Sequence, residues 1–493
     1  MGTRLHPPKF PGAILRRFED PLIRRQLQPS VHVLENATTG IIFIKPVLEI
    51  YACSKPAKKA LEDFLHGSSR SRACESHGVV LGDFDTLLHI LLTRAEAQGD
   101  RPADTETPSN GNVLERLVLN VSQTCNLRCR YCYAAGGNYG LPESLMSRET
   151  ALKTLDRFYT IFNEIKQLQF FGGEPLLNLE LVDFTCTEIE RRHRSGAVSK
   201  LPEFGIVTNG TLASDKTLEV FKRHTIHPTI SLDGPKAITD YLRGDGVYDR
   251  VLAFLAALEE RDIEYGFEAT FTAFHLQSGV GLRELLDFFV ATFRKHEMHI
   301  PDAGLPPGHP LALTERVAAE TYREGVEYSI RNLREGRSPW LSFGTRLMDT
   351  FLDRRPVEHT CPAAFGTISV DADGNAYPCF MFTGIERFRF GNVFDDVFPE
   401  PARADRIFRE ILAADKSRDP RCSECWVYPF CFGCIGADFL KTGGDIRKTD
   451  CSLMKAMAEG FLCAAIEFLD GAPGQTHDMG GKQAATAPSF VTC

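Results

Sequence analysis

The sequence predicts an α/β protein: a closed or partial βα barrel, with a small α+β module before it and a cysteine-rich region after it. Three observations carry that expectation. Strand-like and helix-like runs alternate through the middle of the 493-residue chain, the pattern of parallel strands joined by crossover helices. Two loop-forming stretches, 98–112 and 301–310, bound that region. The cysteines are clustered: of 15, three lie at 125–132 and seven at 361–451.

In chain order, residues 1–100 form the first unit. Short β-branched runs over 31–50 flank a turn signal at 36–40, and helical patterns follow at 57–65 and 81–95. The barrel unit spans 113–300. Its strands are expected at 116–122, 167–171, 204–208, 229–232 and 267–271. Its helices are expected at 149–162, 179–192, 216–223, 248–260 and 282–294, with Ser147 capping the first. A barrel of such units places its chemistry at the C-terminal ends of the strands. Residues 301–345 are expected to bridge to a domain at 346–467. The last segment, 468–493, is rich in Gly, Ala, Thr and Gln and is expected to be disordered.

Composition narrows the function. Lys plus Arg number 56 and Asp plus Glu 65, a net charge of -9, so no general nucleic-acid coat is expected. The basic runs Arg16-Arg17 and Arg191-Arg192-His193-Arg194 read as solvated helix faces. No apolar run reaches the roughly 18 residues of a membrane span. The first residues lack the apolar core of a secretory signal. A cytoplasmic protein is expected, in which thiols stay reduced. Cys53, Cys74, Cys186 and Cys463 then read as small buried hydrophobes, and Cys493 as a terminal thiol.

Cys125, Cys129 and Cys132 follow the first barrel strand directly, so they belong to the first loop at the catalytic end. Three thiolates at this spacing can hold three irons of a [4Fe–4S] cluster and leave the fourth open to another ligand. Structural zinc takes four ligands, and no fourth Cys or His lies nearby.

This Cys-x3-Cys-x2-Cys loop, with Tyr131 before its last cysteine, resembles the signature of the radical S-adenosylmethionine enzymes. Three strand-end motifs continue the resemblance: Gly172-Gly173-Glu174-Pro175, Thr208-Asn209-Gly210 and Ser231-Leu232-Asp233-Gly234. The resemblance implies a partial (β/α)6 TIM-like barrel in which S-adenosylmethionine binds the open iron. It implies that an electron from the cluster cleaves this cofactor, and that a 5′-deoxyadenosyl radical then takes a hydrogen atom from an unactivated carbon. Gly172 and Gly173 are expected to let the backbone approach the methionine ammonium, and Glu174 to add order and negative charge there. Asn209 and Ser231 are expected to meet the ribose and carboxylate, with ordinary turn chemistry as the alternative.

The C-terminal third holds Cys361, Cys379, Cys422, Cys425, Cys431, Cys434 and Cys451, with Gly374 preceding Cys379 in a Gly-x4-Cys element. This set resembles the twin-cluster extension called SPASM. It departs from that pattern where Cys431 and Cys434 are separated by two residues instead of three. The resemblance implies two auxiliary [4Fe–4S] clusters. Cys422, Cys425, Cys431 and Cys451 would hold the distal one, and Cys361, Cys379 and Cys434 would share the other. No cysteine lies shortly before Cys361. Its cluster then has an open iron, which suits a substrate thiolate, or a nonprotein ligand, or His359 as a stand-in. Two structural zincs are the competing reading of the whole set.

The resemblance implies modification of a ribosomally made peptide or small protein, joining a cysteine to an unactivated carbon by a thioether. The segment Gly266-Phe267-Glu268-Ala269-Thr270, with Glu268 on a barrel strand, resembles thioether-forming maturases, including those of six-cysteine peptides and of quinohemoprotein amine dehydrogenase. The pattern over 32–64 resembles a leader-peptide recognition element, which binds by adding a strand to a sheet edge. A structural cap on the barrel is the alternative. An external electron donor of flavodoxin or ferredoxin type is implied. Formylglycine formation is the runner-up activity. Enzymes of that kind carry an Asp directly after the Cys of the Gly-x4-Cys element. Phe380 stands there here, with Asp371 and Asp373 nearby. Carbon–carbon crosslinking stays open. Outside radical chemistry, a noncatalytic zinc scaffold and a redox carrier are the alternatives. The sequence names no catalytic side chain.

Overall fold

The computed structural model describes residues 20–97, 112–294, 297–338, 340–446 and 451–470. The expected linker at 98–112, except its last residue, and the tail from 471 lie outside them.

The barrel is built from β4 (Val113–Ser122), β5 (Glu164–Gly172), β6 (Glu203–Thr208), β7 (His227–Ser231) and β8 (Gly266–Glu268). Each pairs in parallel with the next. Between them run the helices Arg148–Ile161, Leu179–Arg194, Asp215–His224 and Val247–Glu260. Ser147 caps the first of these, its hydroxyl accepting from the Thr150 N–H, a contact worth about 1 kcal/mol. Leu117, Leu119, Leu168, Phe170, Ile206 and Ile230 are fully buried on the central strands. Leu168 and Phe170 are two apart and share one face of β5, and the buried Gln169 between them points to the other.

The sheet departs from a simple repeat at both ends. The strand expected at 267–271 stops at Glu268, and beyond it only single bridges form, Glu268 to His299 and Phe271 to Asp302. At the other edge, β11 (Thr367–Val370) from the cysteine-rich region pairs in parallel with β4. The antiparallel strands β12 (Asn375–Tyr377) and β13 (Gly391–Asn392) extend the sheet further. The barrel is therefore partial, as expected, and its sixth parallel strand comes from the C-terminal domain.

The bridging region 301–345 is more than a linker. It contains the 20-residue helix Glu315–Arg334, which lies along the C-terminal helix Ser452–Asp470. A side chain at Gly460 would stand 2.6 Å from the Arg323 carbonyl oxygen, and Arg331 pairs with Glu467 at 3.2 Å. The short parallel pair β9 (Glu297–Met298) and β10 (Trp340–Leu341) brackets this helix.

The N-terminal module is a three-stranded antiparallel sheet, β1 (Val31–Glu35), β2 (Gly40–Ile44) and β3 (Glu49–Cys53), with helices Lys55–Leu65, Arg70–His77 and Leu81–Glu96 and a small core of its own. It docks on the cysteine-rich domain. The His32 ring stacks on Trp426 with centroids 3.8 Å apart, and Phe43 meets Trp426 and Phe430. Lys45 Nζ donates to the Ser423 carbonyl at 2.8 Å. Burial, with Lys455 adding to it, pushes His32 down to about 4, so the stacked ring is neutral at ordinary pH. Ser423, Trp426 and Phe430 all lie in the 422–431 segment.

Replacing Trp426 with Ala should loosen this docking, since an aromatic pair contributes about 0.5–1.5 kcal/mol beyond its buried area. Hydrogen exchange is expected to quicken in β1 and β2 and to stay unchanged in β5 and β6. Unchanged exchange throughout would show that the stack does not hold the module.

Candidate functional site

A cavity of about 1160 Å³ opens at the C-terminal ends of the barrel strands. The last residues of β5, β6, β7 and β8, namely Gly172, Thr208, Ser231 and Glu268, all line it. So do Cys125, Cys129 and Cys132, in the loop that leaves β4. This volume exceeds the roughly 300–1,000 Å³ of a small-molecule site, so a cofactor leaves space for a second occupant.

The cysteine loop is held from several sides. Asn209 Nδ2 donates to Asn126 Oδ1 at 2.9 Å and stands 3.8 Å from Cys125 Sγ. Tyr131 donates its hydroxyl proton to Asp233 Oδ2 at 2.7 Å. Asp233 is fully buried and receives two further bonds from Arg243, at 2.8 and 2.9 Å, and one from the Thr270 N–H at 3.0 Å. Removing one partner of such a buried ion pair costs about 3–5 kcal/mol, because the other charge is left uncompensated. Burial raises Cys125 and pushes Cys129 up to about 11. Both are neutral thiols until a metal displaces their protons.

The glycines at the end of β5 allow main chain to pack against main chain. Gly172 has φ +133°, and a Cβ there would stand 2.2 Å from the Ser122 carbonyl oxygen. At Gly173 a Cβ would stand 2.2 Å from the Thr124 oxygen. Gly173 and Glu174 donate their N–H groups to those carbonyls, at 2.7 and 2.9 Å. Close contact between the ends of β4 and β5 thus requires both glycines. Both also line the cavity, beside Asn209 and Ser231.

Glu174 lies beneath the cavity instead of lining it. It is fully buried, and its carboxylate accepts from the Thr208 hydroxyl at 2.7 Å, the Asn209 N–H at 2.8 Å and the Leu176 N–H at 3.0 Å. Burial outweighs these donors and pushes Glu174 up to about 7. Its visible work is to tie the end of β5 to the end of β6.

The C-terminal cysteines fall into two sets. Cys422, Cys425, Cys431 and Cys451 line a second cavity of about 170 Å³. Cys361, Cys379 and Cys434 are drawn together by backbone bonds: Gly433 N–H to the Thr360 carbonyl at 2.8 Å and Ala364 N–H to the Pro378 carbonyl at 3.0 Å. Of these three, Cys434 faces the large cavity. Among the described residues no group of three or more His, Cys, Asp or Glu is arranged to hold a single metal ion. A cubane binds its thiolates at separate corners, one to each iron. The donor sets fit clusters.

Other expected residues lie elsewhere. His359 Nδ1 stands 3.4 Å from Asp415, and its ring stacks on Phe365; it lines neither cavity. Asp371 is fully buried and holds the turn between β11 and β12, accepting from the Asp373 and Asn375 N–H groups. Cys74, Cys186 and Cys463 are buried, as expected, whereas Cys53, at the end of the edge strand β3, is only half-buried. Sequence reasoning missed Arg243, Gln169, Phe343, Arg346 and Lys441, which line the large cavity. None sits in a motif.

Fold and site together define a cluster-bearing barrel enzyme with a second, cysteine-rich cluster domain. Residues 119–289 match the Radical SAM superfamily, and residues 361–426 match SPASM, an iron-sulfur cluster-binding domain. The chain carries a radical SAM domain followed by a SPASM domain. Its cofactors are a [4Fe–4S] cluster that binds S-adenosylmethionine, together with auxiliary clusters. It is similar to a cysteine-type anaerobic sulfatase-maturating enzyme of Clostridium novyi, 24% identical over 64% of this chain and 86% of that relative. In fold it is similar to native anSMEcpe with bound AdoMet (TM-score 0.60, 19% identity, 73% of this chain and 98% of the other). It is also similar to SuiB of Streptococcus suis bound to S-adenosylmethionine (TM-score 0.52, 15% identity, 86% and 98%).

Glu174 yields a pH test. The folded protein holds this proton more tightly than the unfolded chain does, so protonation favours folding. Its contribution is complete below the ordinary value of 4.5 and is lost as pH rises through about 7. The denaturant midpoint of the cluster-free protein should therefore fall over that window. Glu174→Gln should flatten the fall; an equally steep fall in the variant would assign it to another group.

Proposed function

We propose that this enzyme modifies a ribosomally made peptide, joining a peptide cysteine to an unactivated carbon through a thioether. The observation that carries the reading is the reach of the large cavity, lined by Cys125, Cys129 and Cys132 at the strand ends and by Cys434 in the SPASM domain. A peptide bound there meets both cysteine sets at once. SuiB, similar in fold, is known bound to its precursor peptide SuiA.

In this reading Cys125, Cys129 and Cys132 hold the S-adenosylmethionine cluster, and Gly172, Gly173, Asn209 and Ser231 face the bound cofactor. Cluster and cofactor, when bound, supply hydrogen-atom abstraction from an unactivated carbon. Arg243, fixed by Asp233, presents a positive charge to the same end of the cavity. Phe343, Phe380, Phe432, Met381, Met454 and Met457 form an apolar wall near Cys434, which excludes water and adapts to a peptide side chain. Cys361, Cys379 and Cys434 hold one auxiliary cluster and Cys422, Cys425, Cys431 and Cys451 the other. β3, at the edge of the N-terminal sheet, offers a leader segment a strand to pair with. A flavodoxin or ferredoxin type of donor supplies electrons. No helix among the described residues is long and apolar enough to cross a membrane.

Formylglycine formation has support in the Clostridium novyi relative. The site favours it less. Phe380 occupies the position after Cys379 and lines the cavity, and Asp371 is committed to its turn.

Anaerobic reconstitution tests the proposal. About twelve irons per chain are expected, four for each of three clusters, with 5′-deoxyadenosine formed under a strong reductant. A cysteine-containing peptide substrate should lose a pair of hydrogens and one free thiol, read by mass spectrometry. Cys434→Ala should keep cofactor cleavage and lose the crosslink. Equal loss of both would assign Cys434 to folding or reduction. A colourless zinc protein without cleavage would overturn the reading.

A further inference from the structure

The wall of the smaller cavity holds a buried cation. Lys416 is 3% exposed, and it lines the cavity with Cys422, Cys425, Cys431 and Cys451. Its Nζ donates to the carbonyls of Tyr428 and Cys431, at 2.8 and 2.9 Å, and lies 4.7 Å from the centre of the Tyr428 ring. The neighbouring buried carboxylate, Asp415, is engaged by the Thr360 and Ser417 N–H groups and faces His359. Around the same cavity Arg421 pairs with Asp419, and Lys455 adds another cation. Among the described residues that line this cavity, three are cations (Lys416, Arg421 and Lys455) and one, Asp419, is a carboxylate.

An ammonium group taken out of water is costly unless negative charge stands beside it. Four cysteines supply that charge only when they are thiolates, the state in which they bind iron. A cluster with four thiolates is an anion, and reduction makes it more negative. A fixed cation nearby stabilises the reduced form more than the oxidised one, and net charge and hydrogen bonding are levers on cluster potential. We propose that Lys416 is the built-in counter-charge of the distal auxiliary cluster and holds its reduction potential up. This rests on the assignment of a cluster to those four cysteines, and not on the identity of the peptide. By gripping the Cys431 carbonyl, Lys416 also places its charge at a ligand's own main chain.

The test is a redox titration followed by electron paramagnetic resonance on the reconstituted full chain. Cys125, Cys129 and Cys132 are replaced with Ala so that only the auxiliary clusters are read. In Lys416→Met one auxiliary signal should move to a more negative potential, while Lys416→Arg keeps it near its original place. An unchanged or more positive potential in Lys416→Met would overturn the proposal. Should Lys416→Met lose a cluster's worth of iron, Lys416→Arg decides. Iron and potential kept in the Arg variant support a role of charge, and iron lost from both assigns the lysine to packing. A parent protein that takes up zinc and gives no signal would overturn the cluster assignment and this proposal together, whatever peptide is accepted.

Discussion

The ends of β4 and β5 lie so close that main chain meets main chain. Gly172 and Gly173 leave no space for a side chain against Ser122 and Thr124, and hydrogen bonds from Gly173 and Glu174 close the contact. Everything at the top of the barrel is referenced to this junction. The cysteine loop starts immediately after it. Glu174 carries the alignment on to β6 by gripping the Asn209 N–H, and Asn209 reaches back to Asn126 in the cysteine loop. A ring of contacts thus sets three strand ends and one loop in fixed relation. Such fixed relation is what a cluster with one open iron requires, because its remaining ligand must arrive from one direction.

A second framework holds the far side of the loop. Asp233 gathers Tyr131, Arg243 and the Thr270 N–H into one buried network. Its charge is matched by the Arg243 guanidinium, so the network survives burial. It also delivers Arg243 to the cavity. One ion pair therefore serves both the stability of the loop and the electrostatics of the site.

The C-terminal domain is part of the barrel, and not an appendage. β11 completes the sheet beside β4, and Phe380, Met381, Phe432 and Cys434 form cavity wall. The N-terminal module leans on the same domain, through His32, Phe43 and Lys45 on the 422–431 segment. The N-terminal module and the cysteine set at 422–431 consequently meet on one short stretch of chain.

The sequence by itself determined what depends on local spacing. The three-cysteine loop, the strand-end motifs, the alternation of strands and helices and the Ser147 cap each occupy a few consecutive residues, so their chemistry is legible without a fold. Burial added meaning to some of them. Glu174 is expected from the sequence to add order and negative charge at the strand end, and folding shows what it binds there: the Thr208 hydroxyl and the Asn209 and Leu176 N–H groups. Tertiary structure alone decided which cysteines share a cavity, where the sixth parallel strand comes from, and that Arg243 and Lys416 stand at the two sites. Those facts rest on pairings between residues far apart in the chain, such as β4 with β11 and Thr360 with Gly433. A lone arginine or lysine acquires its role only when folding removes the water around it and leaves a partner of opposite charge.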